Sequence, residues 1–155
     1  MCDSLKFAVD KSEVDILKYE TKKLEEAFCL CLESKKNGNE TERVLFLEAF
    51  LLHARNLIDF LDGKEKYSDD LTVKDFKDKN GVKIEKIDFD LEKDIKMKID
   101  KHCCHMTKKR LNNKYGWDIK KIKNKIEQGL FKFEELTGLD ITIIPSAPKN
   151  VLIIS

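Results

Sequence analysis

Two long stretches of this chain place apolar side chains alternately three and four residues apart, the period of a helix with one buried stripe. Val14, Leu17, Thr21, Leu24, Phe28 and Cys31 mark the first stripe; Ile119, Ile122, Ile126, Leu130 and Phe133 mark the second, which Leu136 extends. Chain breakers are scarce, with six Gly and two Pro in 155 residues, so helices can run long and a sandwich or barrel is disfavoured. A chain of this size fits one domain that buries roughly 70 % of its unfolded surface. The expected fold is all-α: a single domain over residues 1–155, with its core at about 12–138 and a tail at 139–155.

Four main helices are expected, packed as an antiparallel bundle. Helix one should span about Ser12 to Lys36, capped by Ser12 and stopped by Asn37-Gly38-Asn39. Helix two should begin after Asn39 and end near Gly63. Its run Val44-Leu45-Phe46-Leu47, Ala49-Phe50-Leu51-Leu52, Leu57-Ile58 and Phe60-Leu61 is apolar on nearly every side, which makes it the buried, central element. Residues 63–90 form a long irregular connection. Asp69-Asp70 suit the cap of a short helical turn through Leu71, Val73 and Phe76, and Asn80-Gly81 marks a turn leading into a short strand at Val82-Lys83-Ile84. Helix three should cover Leu91 to about Met106, with Leu91, Ile95, Ile99, His102 and Met106 inward. Helix four should run from Trp117-Asp118 to Thr137, stopped by Gly138. The apolar, β-branched tail, extended in conformation, either packs along the bundle or pairs with a second chain.

No apolar run approaches the ~20 residues needed to cross a bilayer, and Met1 to Lys11 do not read as a signal peptide, so a cytoplasmic location without membrane contact is expected. The five cysteines, Cys2, Cys29, Cys31, Cys103 and Cys104, are odd in number and not spaced as a disulfide framework. Four of them sit inside expected helices, so buried, reduced thiols are the expectation. Charge is unevenly distributed. Residues 1–62 carry 9 basic against 13 acidic side chains, and Lys96 to Lys125 carry 11 basic residues against only Asp100 and Asp118. Such a patch suits a polyanion, although Lys-rich helix faces are more often simply solvated.

Two segments carry the residues of chemical interest. In helix two, His53, Arg55, Asn56 and Asp59 interrupt a helix that the surrounding pattern buries. An unpaired charge there would cost several kcal/mol. Arg55 and Asp59, four residues apart, can pair directly. The four either satisfy one another and fix helix register, or form a site at the centre or end of the bundle. The second segment is His102-Cys103-Cys104-His105-Met106-Thr107-Lys108-Lys109-Arg110, where His102 and His105 share a face and can act as acid, base or ligand. No metal or other cofactor is expected. Cys29 and Cys31 point about 200° apart on an ideal helix, and Cys103 and Cys104 about 100° apart, and a His53/His102/His105 centre has no carboxylate beyond Asp59. Phosphate-binding loops, nucleophile elbows and dinucleotide fingerprints are absent from the sequence.

These segments resemble a family of uncharacterised prokaryotic helical-bundle proteins. The likeness is carried by His53-Ala54-Arg55-Asn56-Leu57-Ile58-Asp59-Phe60-Leu61, by an acidic turn with an aromatic between Asp69 and Phe76, and by His105-Met106-Thr107-Lys108-Lys109-Arg110 before Trp117. It covers roughly residues 40–135. Members have Ala and Leu where this chain has Cys104 and Met106. More distantly the chain is similar to the HEPN superfamily, four-to-five-helix bundles that often dimerise and often act as metal-independent ribonucleases in defence and toxin systems. Their signature places an Arg four to six residues before a His on one helix, whereas here Arg55 lies fifty residues before His105.

Two functions follow as expectations. One is an interaction module of a defence or toxin–antitoxin type system, dimerising through its tail and apolar faces. The alternative is a HEPN-like endoribonuclease or RNA-binding protein. In that reading Arg55 stabilises phosphate charge, His105 acts as acid and base, and Asp59 and Asn56 orient them. Lys108, Lys109 and Arg110 would hold the RNA backbone, beside His53, His102 and Thr107.

Overall fold

A computed structural model describes residues 12–104 and 116–141. Among the described residues the fold has four α-helices: α1 (Glu13–Lys36), α2 (Glu40–Leu61), α3 (Lys93–Cys104) and α4 (Ile119–Thr137). The starts of α1, α2 and α4 each have a chemical cause. Ser12 and Asp15 exchange side-chain and backbone hydrogen bonds in a capping box at α1, Asn39 accepts from the Glu42 N–H at α2, and Asp118 accepts from the Lys121 N–H at α4. Gly138, at φ 74°, closes α4 in the left-handed conformation. Only Asn37, Gly38 and Asn39 separate α1 from α2, so these two helices form a tight antiparallel hairpin and share the most extensive helix contact.

Helix α2 touches all three others. Its buried side chains are Phe50, Leu51, Ala54, Leu57, Ile58, Phe60 and Leu61, and the expectation of burial on nearly every side holds only for this C-terminal half. In the N-terminal half Val44 is 42 % and Leu45 58 % exposed, and even in the C-terminal half Leu52 is 46 % exposed. Helix α1 buries Leu17, Leu24 and Cys31 of its expected face, and Ala27 beside it. Helix α4 buries Ile122, Ile126, Gly129, Leu130 and Phe133, but Leu136 turns outward instead of extending the stripe.

The connection from residue 62 to 92 forms a plug across one end of the bundle. Phe60, Phe76 and Phe133 meet edge to face with centroids 5.1–5.9 Å apart, a favoured aromatic arrangement. Val73, Ile84, Ile87 and Phe89 complete this part of the core. The Ile87 N–H donates to the Leu61 carbonyl and the Lys79 N–H to the Leu136 carbonyl, joining the plug to the ends of α2 and α4. The short helical turn covers Val73–Asp75, and its cap is Thr72 rather than the Asp69-Asp70 pair. Asp70 instead accepts from the Lys66 and Tyr67 N–H groups in a separate turn. The strand expected at Val82-Lys83-Ile84 reduces to one isolated bridge between Lys77 and Lys83, because among the described residues no further strand lies beside it. Helix α3 begins at Lys93, two residues later than expected, and the expected end at Met106 lies outside the described residues. Among the described residues, no helix is long and apolar enough to cross a membrane.

Candidate functional site

The polar residues of α2 divide between two neighbours. His53 and Asn56, three residues apart, both face α1 and converge on one carboxylate. His53 Nδ1 lies 2.8 Å from Glu20 Oε2, and the Asn56 amide donates to the same oxygen at 3.2 Å. Tyr19 packs edge-on against the His53 ring at 6.4 Å. Arg55 and Asp59 face α3. Arg55 Nε donates to Asp100 Oδ1 at 2.8 Å, whereas its distance to Asp59 Oδ2, the expected partner, is 3.8 Å. The i, i+4 pair is thus the weaker contact.

Asp59 is held mainly by α3. Its Oδ1, which solvent does not reach, lies 3.3 Å from Lys96 Nζ and 3.9 Å from Lys64 Nζ, in ion-pair contact without hydrogen-bond geometry. Lys96 also donates to Asp62. Burial works against the Lys96 ammonium, but the Asp62 and Asp59 carboxylates outweigh it and raise its pKa above the ordinary lysine value. The result is a mixed ionic cluster of Arg55, Asp59, Asp62, Lys96 and Asp100 that joins α2 to α3.

Beside this cluster lies a cleft of about 340 Å³, within the range of small-ligand sites. Arg55, Asn56, Asp59 and Glu20 lie on one wall, and Lys64, Lys66, Tyr67 and Asp70 border it from the connection. The backbone N–H groups of Tyr67 and Lys66 hold the Asp70 carboxyl below its ordinary value, fixing the rim. Positive and negative side chains line the cleft in equal number, so it lacks the single-sign field of a dedicated anion site.

His102 is elsewhere. Its ring meets Trp117 edge-on at 5.5 Å, and both line a second cleft at the opposite end of the bundle with Arg43 and Leu47. His53 and His102 therefore do not converge, and among the described residues no three His, Cys, Asp or Glu side chains are arranged to hold a metal. His105, Thr107, Lys108, Lys109 and Arg110 lie outside the described residues. Neither described thiol has nucleophile character. Burial, aided by Glu25, pushes Cys29 up, and burial pushes Cys31 up despite nearby cations.

Sequence reasoning missed Glu20, Lys96, Asp62 and the role of Asp100. A signal existed for two of them. Asp100 is one of two acidic residues in an otherwise basic stretch, and the other, Asp118, serves as a helix cap. Glu20 directly precedes Thr21 of the apolar stripe, where an acidic side chain borders the partner helix. Comparison of the chain with family models, curated proteins and solved structures finds no match.

Proposed function

We propose that this protein is a non-catalytic helical-bundle interaction module. The observation that carries this reading is that the polar residues of α2 are engaged across the bundle: His53 and Asn56 with Glu20 of α1, Arg55 with Asp100, and Asp59 with Lys96 of α3. Side chains so engaged fix which helix faces meet, as buried polar groups do when they specify register. Interaction falls to the apolar side chains left outside. Leu45 and Leu52, two turns apart on α2, share an outward stripe, and Tyr19 and Ile16 of the adjacent α1 are 50 % and 42 % exposed. The partner in this reading is a second copy of the chain, and the HEPN likeness implies a defence or toxin–antitoxin setting. Sedimentation equilibrium tests it. The wild type should associate at micromolar concentration and a Leu45→Glu/Leu52→Glu variant should remain monomeric. A wild type that stays monomeric up to hundreds of micromolar refutes the reading.

The RNA-directed reading is second, favoured by one observation: Arg55 and Asn56 line a cleft bordered by Lys64, Lys66 and Tyr67. Incubation with a mixed-sequence RNA pool, with and without EDTA, separates the two. EDTA-resistant cleavage that is lost in folded Arg55→Ala and His105→Ala variants would establish the ribonuclease. Absence of both cleavage and salt-sensitive binding removes it.

A further inference from the structure

Helix α3 is attached to the bundle differently from the other three. Helices α1, α2 and α4 each bury at least five residues. Among the described side chains of α3, only Ile99 is buried, Ile95 is partly covered, and Met97 is 51 % exposed. Beside Ile99 and the edge-on contact of His102 with Trp117, charge supplies the described attachments of α3. Asp100 takes Arg55, and Lys96 takes both Asp59 and Asp62. The chain entering α3 is tied in the same way, with Glu92 paired to Lys121 and Asp90 to Lys125 of α4. The side chains of the α2–α3 cluster are 22–38 % exposed, so water and salt reach them.

We propose that α3 is an ionic latch, a helix docked by charge that releases from an otherwise intact bundle when its ion pairs are screened or competed away. The physical distinction is sharp. Raising sodium chloride from about 0.01 M to 1 M shortens the screening length from roughly 30 Å to roughly 3 Å. The same salt does not weaken apolar burial, which holds α1, α2 and α4 together. Release would uncover a particular surface. On α2, Leu51, Arg55, Ile58 and Asp62 follow one another at helical spacing along one side, giving an apolar strip bounded by Arg55, Asp59 and Asp62. Helix α3 meets this side of α2 with Lys96 and Asp100, which pair with Asp59, Asp62 and Arg55, so a Lys and an Asp four residues apart are what a competing helix would need to present. The latch stands whether or not the hairpin face self-associates.

Hydrogen exchange of the full chain, read peptide by peptide at 20 mM and 500 mM sodium chloride, tests the latch. Amides of residues 93–102 should lose at least tenfold of their protection in high salt, while those of α1, the C-terminal half of α2 and α4 change less than threefold. Asp100→Asn should reproduce the loss at low salt, and the exchanged pair Arg55→Asp/Asp100→Arg should restore protection towards the wild type. Two outcomes overturn the proposal. Protection of α3 that does not respond to salt means that apolar contacts hold it. Loss of protection in all four helices together means that α3 is not a separable element.

Discussion

Three glycines with positive φ offer a matched test of how closely the plug fits the end of α2. Gly38 (φ 69°) and Gly81 (φ 78°) lie in exposed turns, where an added Cβ would meet nothing within 4 Å. Gly63 (φ 62°) follows the α2 C-cap, and a Cβ there would lie 2.2 Å from the Glu85 backbone carbonyl oxygen. All three changes to Ala incur the left-handed backbone term of about 1–2 kcal/mol, reduced by roughly 0.4–1 kcal/mol because Ala also restricts the unfolded chain. Gly38→Ala and Gly81→Ala should therefore each cost about 1 kcal/mol. Gly63→Ala must also move the backbone at residue 85. Two residues on, the Ile87 N–H donates to the Leu61 carbonyl at 2.7 Å, and disturbing that bond adds about 1–3 kcal/mol. The crowding itself adds a further 1–3 kcal/mol or so. The expected total is about 3–7 kcal/mol, which at a urea slope of about 2 kcal/mol/M lowers the unfolding midpoint by about 1.5–3.5 M. Urea denaturation followed by circular dichroism measures all three variants. A Gly63→Ala midpoint that falls no further than that of Gly38→Ala would refute the close approach of the plug to α2.

Alkaline stability should depend on Lys96 and Lys123, whose pKa values lie above the ordinary 10.5 because paired carboxylates outweigh the opposing effect of burial. A raised folded-state value stabilises fully below 10.5 and is lost as pH rises through it. The melting temperature should therefore drop above pH 10.5, and Lys96→Met with Lys123→Met should flatten that drop; an unchanged slope in the double variant argues against both pairings. Peptide-mapped alkylation at pH 7.5 should modify Cys31 more slowly than Cys29, and both more slowly than a free thiol, with rates climbing above pH 9. Rapid modification of Cys31 at neutral pH would contradict its burial.

The helices were legible because their causes are local. The stripes of α1 and α4 follow from period alone, and Ser12, Asn39 and Gly138 declare their boundaries in residue chemistry. What failed was the extension of local pattern to tertiary setting. Val44, Leu45 and Leu52 read as core because they are apolar, but a residue is buried only where another element covers it, and these three are 42–58 % exposed. Asp59 read as the partner of Arg55 because spacing shows only intrahelical neighbours; Asp100, forty-five residues away, is closer. The demand of His53 and Asn56 for a partner was evident from their buried helix, whereas its supply by Glu20 depended on the register of the α1–α2 hairpin. Residues Thr107 to Arg110, with His105, fall outside the described residues.

The edge-to-face cluster of Phe60, Phe76 and Phe133 has a consequence for how the chain reaches its native state. The α1–α2 hairpin closes across three residues and can form within a local segment, early and without help from the rest of the chain. The three phenylalanines are separated by 15 and 56 intervening residues, so their meeting requires two long loops to close. Trimming Phe76 or Phe133 should therefore accelerate unfolding far more than it slows folding, whereas trimming Leu24 or Phe50 should slow folding itself. In kinetic terms the hairpin governs how quickly the molecule forms, and the aromatic cluster governs how long it persists.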